Sequence, residues 1–230
     1  MSENPLSGQT PLDVLGVIAS SDAMITPTLR HVEMYTMRGL LTVLWHEPRG
    51  DAQSVGVVAL GGAMGGLLGP GDALYQQLGD EFAASGIPML RVSYRKPNDL
   101  DMCCVDAAAA VQLLIGSGAD KVVVMGHSFG GAVAVRVGVG LPDMVAGVVT
   151  FATQSAGCEV AAGLAGRPLL LIHGDKDEIL PLQASEVVKA IAGTGDLHVM
   201  PNDGHLLSRS HQAMHDLVVP WVRSVLNVAD

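Results

Sequence analysis

The hexapeptide Gly126-His127-Ser128-Phe129-Gly130-Gly131 constrains this chain more than any other segment. It follows the apolar run Lys121 to Met125 and precedes a small-residue helical pattern, Ala132 to Arg136, so a buried strand must turn into a helix within a few residues. Glycines at 126 and 130 remove the Cβ atoms that would clash in so sharp a turn, which lifts a serine hydroxyl to the end of the strand. A serine held in this way becomes a nucleophile if a base and an orienting acid can reach it. Alone, G-x-S-x-G is a weak motif, and the strand before it and helix after it give it weight.

Two later segments supply the rest. Leu169 to Ile172 reads as a buried strand opening into His173-Gly174-Asp175-Lys176-Asp177-Glu178, a loop rich in carboxylates where an orienting acid belongs. Leu197 to Met200 reads as a shorter strand whose loop ends at His205, ahead of the helix-start signal Ser208 to Ser210; a general base belongs there. Serine, acid and histidine therefore follow one another in an order that differs from those of trypsin-like and subtilisin-like proteases.

At these residues the chain resembles a small α/β-hydrolase of the dienelactone-hydrolase and esterase type, over about Val32 to Val225. The resemblance implies an α/β fold in a single domain, with a mostly parallel sheet flanked by helices on both faces. The family pattern His-Gly-x-x-Asp-x-x-x-Pro, laid on His173, Gly174 and Pro181, selects Asp177 as the acid, with Asp175 second. Dienelactone hydrolases typically carry cysteine as nucleophile; serine at 128 favours ester chemistry over lactone specificity. The oxyanion hole should take one N–H from Phe129, at a helix N-terminus, and one from the loop Gly61 to Gly66. Aligned on the family's His-Gly turn, that loop offers Ala63 first and Met64 second, with Gly61 in place of the usual histidine.

The expected function is a serine carboxylester hydrolase for small to medium acyl esters, working through an acyl-enzyme without metal or organic cofactor. The same triad could serve acyl transfer, C–C bond hydrolysis or ligand sensing, which fold analogy does not separate. The partner this implies is a small-molecule ester substrate, and composition fits a compact globular enzyme: 49% of residues are hydrophobic and 16% charged. The formal charge of −10, without a Lys/Arg cluster, disfavours nucleic acid and anionic membranes as partners. Residues 1 to 8 carry no base ahead of Leu12 to Ile18, and Asp13 and Gly16 interrupt that stretch, so it fails as a secretory signal and the expected location is cytoplasmic. Cys103, Cys104 and Cys158 form neither a disulfide framework nor a C-x-x-C pair.

Periodicity divides the chain into an N-terminal extension, residues 1–30, and a hydrolase domain, residues 31–230. Strands are expected at His31 to Met37 and Leu41 to Trp45, joined in a hairpin at Arg38-Gly39, then at Val55 to Leu60, Pro88 to Tyr94, Val145 to Phe151 and Pro168 to Ile172. With the two strands that precede Ser128 and His205, the count is about eight, with about six helices. Asp101 is the expected cap of the helix before Lys121. Between Phe151 and Pro168 there is room for a loop and a short helix, so no large lid is expected. Cover for the site would come from Leu12 to Ile25, which could equally be a dimer arm or an edge cover, or from Gly65 to Asp72. A homodimer is compatible with the sequence. The pocket is expected to be lined by Met64, Leu67, Ile179 and Leu206, with Gln154 placed near it by its position just past a strand end. His211 and His215, one helical turn apart, lack the intervening glutamate of a metalloprotease and are expected to be a surface pair.

Overall fold

A computed structural model describes residues 9–228. The first eight residues, part of the expected extension, lie outside the described residues. Nine strands form one sheet: β1 (Val17–Thr26), β2 (Leu29–Thr36), β3 (Gly39–His46), β4 (Val55–Leu60), β5 (Met89–Ser93), β6 (Lys121–His127), β7 (Val145–Phe151), β8 (Leu169–Gly174) and β9 (Asp196–Met200). Their order across the sheet is β1-β2-β3-β5-β4-β6-β7-β8-β9. The pairs β1–β2, β2–β3 and β3–β5 are antiparallel, and every pair from β5–β4 to β8–β9 is parallel. The hairpin expected at Arg38-Gly39 joins β2 to β3, with Thr36 opposite Gly39.

Among the described residues there are six helices: α1 (Pro11–Leu15), α2 (Leu74–Ala84), α3 (Leu100–Gly116), α4 (Phe129–Gly140), α5 (Gln183–Ala192) and α6 (His211–Val225). Side chains alternate across the central strands, as a sheet covered on both faces requires. Val57 and Ala59 of β4 and Val123 and Met125 of β6 meet Leu74, Leu78 and Phe82 of α2 and Met214, Val218 and Val222 of α6. Val58, Leu60, Val122 and Val124 turn the other way, onto Ala107, Val111 and Leu114 of α3 and Val133 of α4. Removing each large apolar side chain from water contributes about 1.5–3 kcal/mol, so this double layer holds the strand ends in register. Among the described residues no helix is long and apolar enough to cross a membrane.

The sheet order places the site. From β4 the chain passes through α2 to β5 on one side, then returns through α3 to β6 on the other side of β4. The chain leaves β4 toward β5 and leaves β6 through α4 toward β7, so the connections diverge between these strands and leave a crevice at their carboxyl ends, where ligands bind in open sheets of this kind. The loop after β4 begins at Gly61 and the turn after β6 is Ser128.

Two expectations need adjusting, and the absence of a large lid is as expected. The sheet has nine strands, because Val17–Thr26, assigned to the extension, pairs with β2 as its edge strand. Helix α3 is capped by Asp99, whose side chain accepts from Met102 N–H, while Asp101 lies in the first turn. Ahead of that cap Asn98 takes φ 67°, turning the chain into the helix two residues earlier than expected. Between β7 and β8 only a 3-10 turn, Ala161–Leu164, interrupts the loop, so there is no large lid.

Candidate active site

Ser128 stands between β6 and α4 with φ 56° and ψ −119°, a region that costs a residue with a side chain about 1–3 kcal/mol. The surroundings enforce it. Ser128 N–H donates to Phe151 O at 2.8 Å, and Ser128 O accepts from Gly131 N–H at 3.0 Å. A Cβ on Gly126 would fall on the Gly130 carbonyl, and one on Gly130 would fall on the Gly61 carbonyl. Strand β6, helix α4 and the β4 loop therefore approach to backbone contact, and only glycine permits it.

His205 reaches Ser128 from the loop between β9 and α6. Its Nε2 lies 3.0 Å from Ser128 Oγ, and its Nδ1 lies 2.8 Å from Asp177 Oδ2. A carboxylate oxygen can only accept, so the proton sits on Nδ1 and Nε2 is free to accept from the serine hydroxyl. Asp177, its side chain buried, is saturated with partners. Oδ1 accepts from Ile179 N–H and Leu180 N–H, both at 2.8 Å. Oδ2 faces His205, and also His173 Nε2 at 3.2 Å. Burial alone would raise this carboxyl, but the bonds from Leu180 N–H, His205 and Ile179 N–H outweigh it and hold Asp177 below the usual carboxylate range. Asp175, the second candidate acid, instead accepts from Asn202 N–H at 2.6 Å, tying the acid loop to the base loop.

His173 is fully buried at the end of β8. Besides Asp177, its Nε2 faces Leu180 O at 3.0 Å, and its Nδ1 meets Ser185 Oγ at 2.7 Å. It pins the far side of the acid loop.

A cavity of about 450 Å³ opens beside Ser128, lined by residues 61–69 and by His127, Ser128, Ile179, His205 and Leu206. Ala63, Met64, Leu67, Ile179 and Leu206 are all in its lining. The lining includes no Lys, Arg, Asp or Glu. A larger depression, about 640 Å³, lies at the amino ends of β4 and β5 and shares no residue with the site. The turn Gly62 to Gly65 is closed by Gly65 N–H to Gly62 O at 2.9 Å and carries Ala63 and Met64 at its tip. Phe129 follows Ser128 as the first residue of α4, where helix geometry leaves N–H groups without intrahelical acceptors.

Gln154 is not in this cavity. Ala152 adopts φ 44° directly after β7 and turns the chain aside. Gln154 Nε2 donates to Ala156 O at 2.7 Å, and the residue lines a separate depression with Leu180 and Pro181. Nor does any residue from Leu12 to Ile25 line the cavity. Helix α1 packs instead on α3, with Leu12 N–H donating to Gln112 Oε1 at 2.8 Å.

Sequence reading missed the hydroxyls that secure the β4 loop. With no histidine at position 61, Tyr94 O–H donates to Gly61 O at 3.2 Å and Tyr75 O–H donates to Leu60 O at 3.1 Å, both from buried rings. The one available signal was an aromatic residue just after β5. His211 and His215 use their rings to join α6 to α2, through Gln77 Oε1 and Glu81 Oε2, each at 2.7 Å.

Several solved structures share this architecture. Est1E from Butyrivibrio proteoclasticus superposes with a TM-score of 0.73 over 86% of this chain and 99% of its own, at 14% identity. A dienelactone hydrolase from Anabaena variabilis gives 0.71 over 84% and 97%, at 17% identity. A serine hydrolase without a lid, from Xanthomonas campestris, gives 0.70 over 90% and 100%, at 19% identity. In sequence, the phospholipase/carboxylesterase family matches residues 106–218, a span containing Ser128, Asp177 and His205. The chain has the α/β-hydrolase fold, and its sequence over residues 106–218 is similar to that family. No curated protein sequence matches the hydrolase significantly. Within the matched span the hydrolase keeps the strand-turn-helix around Ser128, and the β4 loop of this hydrolase lies outside it.

Proposed function

We propose that this hydrolase cleaves carboxylic esters with small to medium, uncharged acyl groups, through Ser128, His205 and Asp177. The observation that carries the reading is the chain of contacts from Ser128 Oγ to His205 Nε2 at 3.0 Å and from His205 Nδ1 to Asp177 Oδ2 at 2.8 Å, at the mouth of an open apolar cavity. Ser128 Oγ attacks the ester carbonyl as its proton passes to His205 Nε2, and Asp177 stabilises the imidazolium. The oxyanion is met by Phe129 N–H and by Ala63 N–H, with Met64 N–H as the alternative second donor. Collapse returns the proton to the departing alcohol and leaves an acyl group on Ser128. Water, deprotonated by the same histidine, then releases the acid.

A cavity without charged lining favours neutral acyl chains, since a buried anion there would lack a partner. Met64, Leu67, Ile179 and Leu206 supply apolar contacts for the chain. No step needs a cofactor. The cysteines are all unpaired, which supports work in a reducing cytoplasm. The edge of β1, exposed along its length, is the surface through which a homodimer would form.

Hydrolysis of a chain-length series of p-nitrophenyl esters by wild type and Ser128→Ala tests the reading. It predicts turnover that peaks at a short or medium chain and disappears in the variant. Equal turnover in both proteins would overturn it.

A further inference from the structure

His127, the residue between Gly126 and Ser128, is a polar side chain at the end of β6, in register with the apolar Phe151 of β7, which pairs in turn with Ile172 of β8. It is 8% exposed, its ring centroid lies 5.0 Å from that of His205, and its Nε2 lies 2.9 Å from the His205 backbone oxygen. A carbonyl oxygen only accepts, so Nε2 carries the proton and donates. Burial drives the imidazole down to about 4, against the opposing effect of that same bond. The ring is therefore neutral at pH 7, and its Nδ1 is an unprotonated acceptor. That atom faces the β4 loop, 3.7 Å from where a Cβ on Gly62 would sit.

The loop bearing His205 runs from Pro201 to Ser210 without regular structure. It is tied to the acid loop through Lys176 N–H to Asp203 O at 2.9 Å, and to the β4 loop through Gly71 N–H to Leu206 O at 2.6 Å. Those ties fix its flanks. The bond from His127 fixes the carbonyl of the base itself, and its donor is the residue adjacent in sequence to Ser128.

We propose that His127 is a positioning residue: by donating from Nε2 to the His205 carbonyl, it locks the base-bearing loop to the turn that carries Ser128 and so sets the distance for proton transfer. Its neutrality matters for the same reason. A cation 5.0 Å from His205 would oppose formation of the imidazolium during the reaction. This inference rests on Ser128 and His205 being nucleophile and base.

The test compares His127→Leu, which fills the space without a donor, with His127→Gln, whose amide can replace the Nε2–H. The rate of Ser128 labelling by a fluorophosphonate probe and the kcat and KM for p-nitrophenyl butyrate are measured with Tm. His127→Leu should lower labelling rate and kcat together by about ten- to a hundredfold, the cost of a small misplacement at a reacting pair, with KM within about twofold. His127→Gln should restore most of the loss. Wild-type rates in His127→Leu, or equal losses in both variants, would overturn the proposal. Failure of the wild type to label at Ser128 would overturn the triad reading and this inference with it, whereas labelling at equal rates in wild type and His127→Leu would overturn this inference alone. Should His127→Leu not fold, the ring 15N shifts of the wild type decide. An Nε2–H tautomer that stays neutral at pH 6 beside His205, His173 and Asp177 agrees; an Nδ1–H tautomer contradicts.

Discussion

On one side of Ser128 lie Asp177 and His205, buried and bonded at their polar atoms; on the other lies the glycine-rich loop 61–69, whose Met64 is 95% exposed. The difference separates two tasks. Proton transfer tolerates little displacement, so the acid and base are over-determined by backbone and side-chain bonds. In the proposed reaction, substrate selection would rest on apolar side chains of the cavity lining, Met64, Leu67, Ile179 and Leu206, which could change without disturbing that geometry. On that proposal the chemistry is fixed and the specificity adjustable.

The largest effects should come from the buried side. Asp177→Asn should lower kcat by about 10⁴-fold, as loss of the orienting carboxylate favours the wrong imidazole tautomer. Asp175→Asn should leave kcat within a few-fold of wild type and cost about 1 kcal/mol of stability, because it only ties two loops. Steady-state kinetics and Tm on the two variants check both; a reversed ranking would make Asp175 the acid.

A pH series sharpens the same contrast. Asp177 is held below its ordinary range, so its contribution to stability is complete above the unfolded carboxyl value of about 3.9 and is lost as pH falls through its lower native value. Wild type should therefore lose more of its Tm between pH 5 and pH 3 than Asp177→Asn does. Parallel curves would show that the carboxylate is not stabilised in the fold.

Smaller effects belong to the loop. Tyr94→Phe removes the donor to Gly61 O and should cost about 1 kcal/mol of stability, with kcat falling by up to about tenfold as the loop loosens. Smallest of all, Met64→Ser and Ile179→Ser should raise KM for the longer acyl chains a few-fold, about one or two methylene equivalents of lost contact, with kcat unchanged. A large fall in kcat in either would place these side chains in the reacting geometry and collapse the distinction.

How much was legible in the sequence follows the same line. Strands β4 and β7 were readable to the residue, since continuous apolar runs between turn residues have one interpretation in a sheet covered on both faces. Strand β1 was not, because Val17–Thr26 is exposed along its whole length and carries no alternation of apolar and polar residues. Ser128, Asp177 and His205 could be named because each follows a strand in motif spacing, and the structure brings them within hydrogen-bond reach. Gln154 was misplaced because a strand end alone does not reveal the positive φ of Ala152 that turns the chain away. Tyr75 and Tyr94 act through long-range bonds to the end of β4 and the loop after it, and no local pattern in the sequence announces such a partner.

The most direct test of the account is intact and peptide mass spectrometry of the hydrolase quenched during turnover of p-nitrophenyl butyrate. The account predicts a butyryl group on the peptide containing Ser128, formed with a burst of p-nitrophenol and missing in Ser128→Ala. Sustained turnover with no adduct on Ser128, or an unchanged rate in Ser128→Ala, would contradict it.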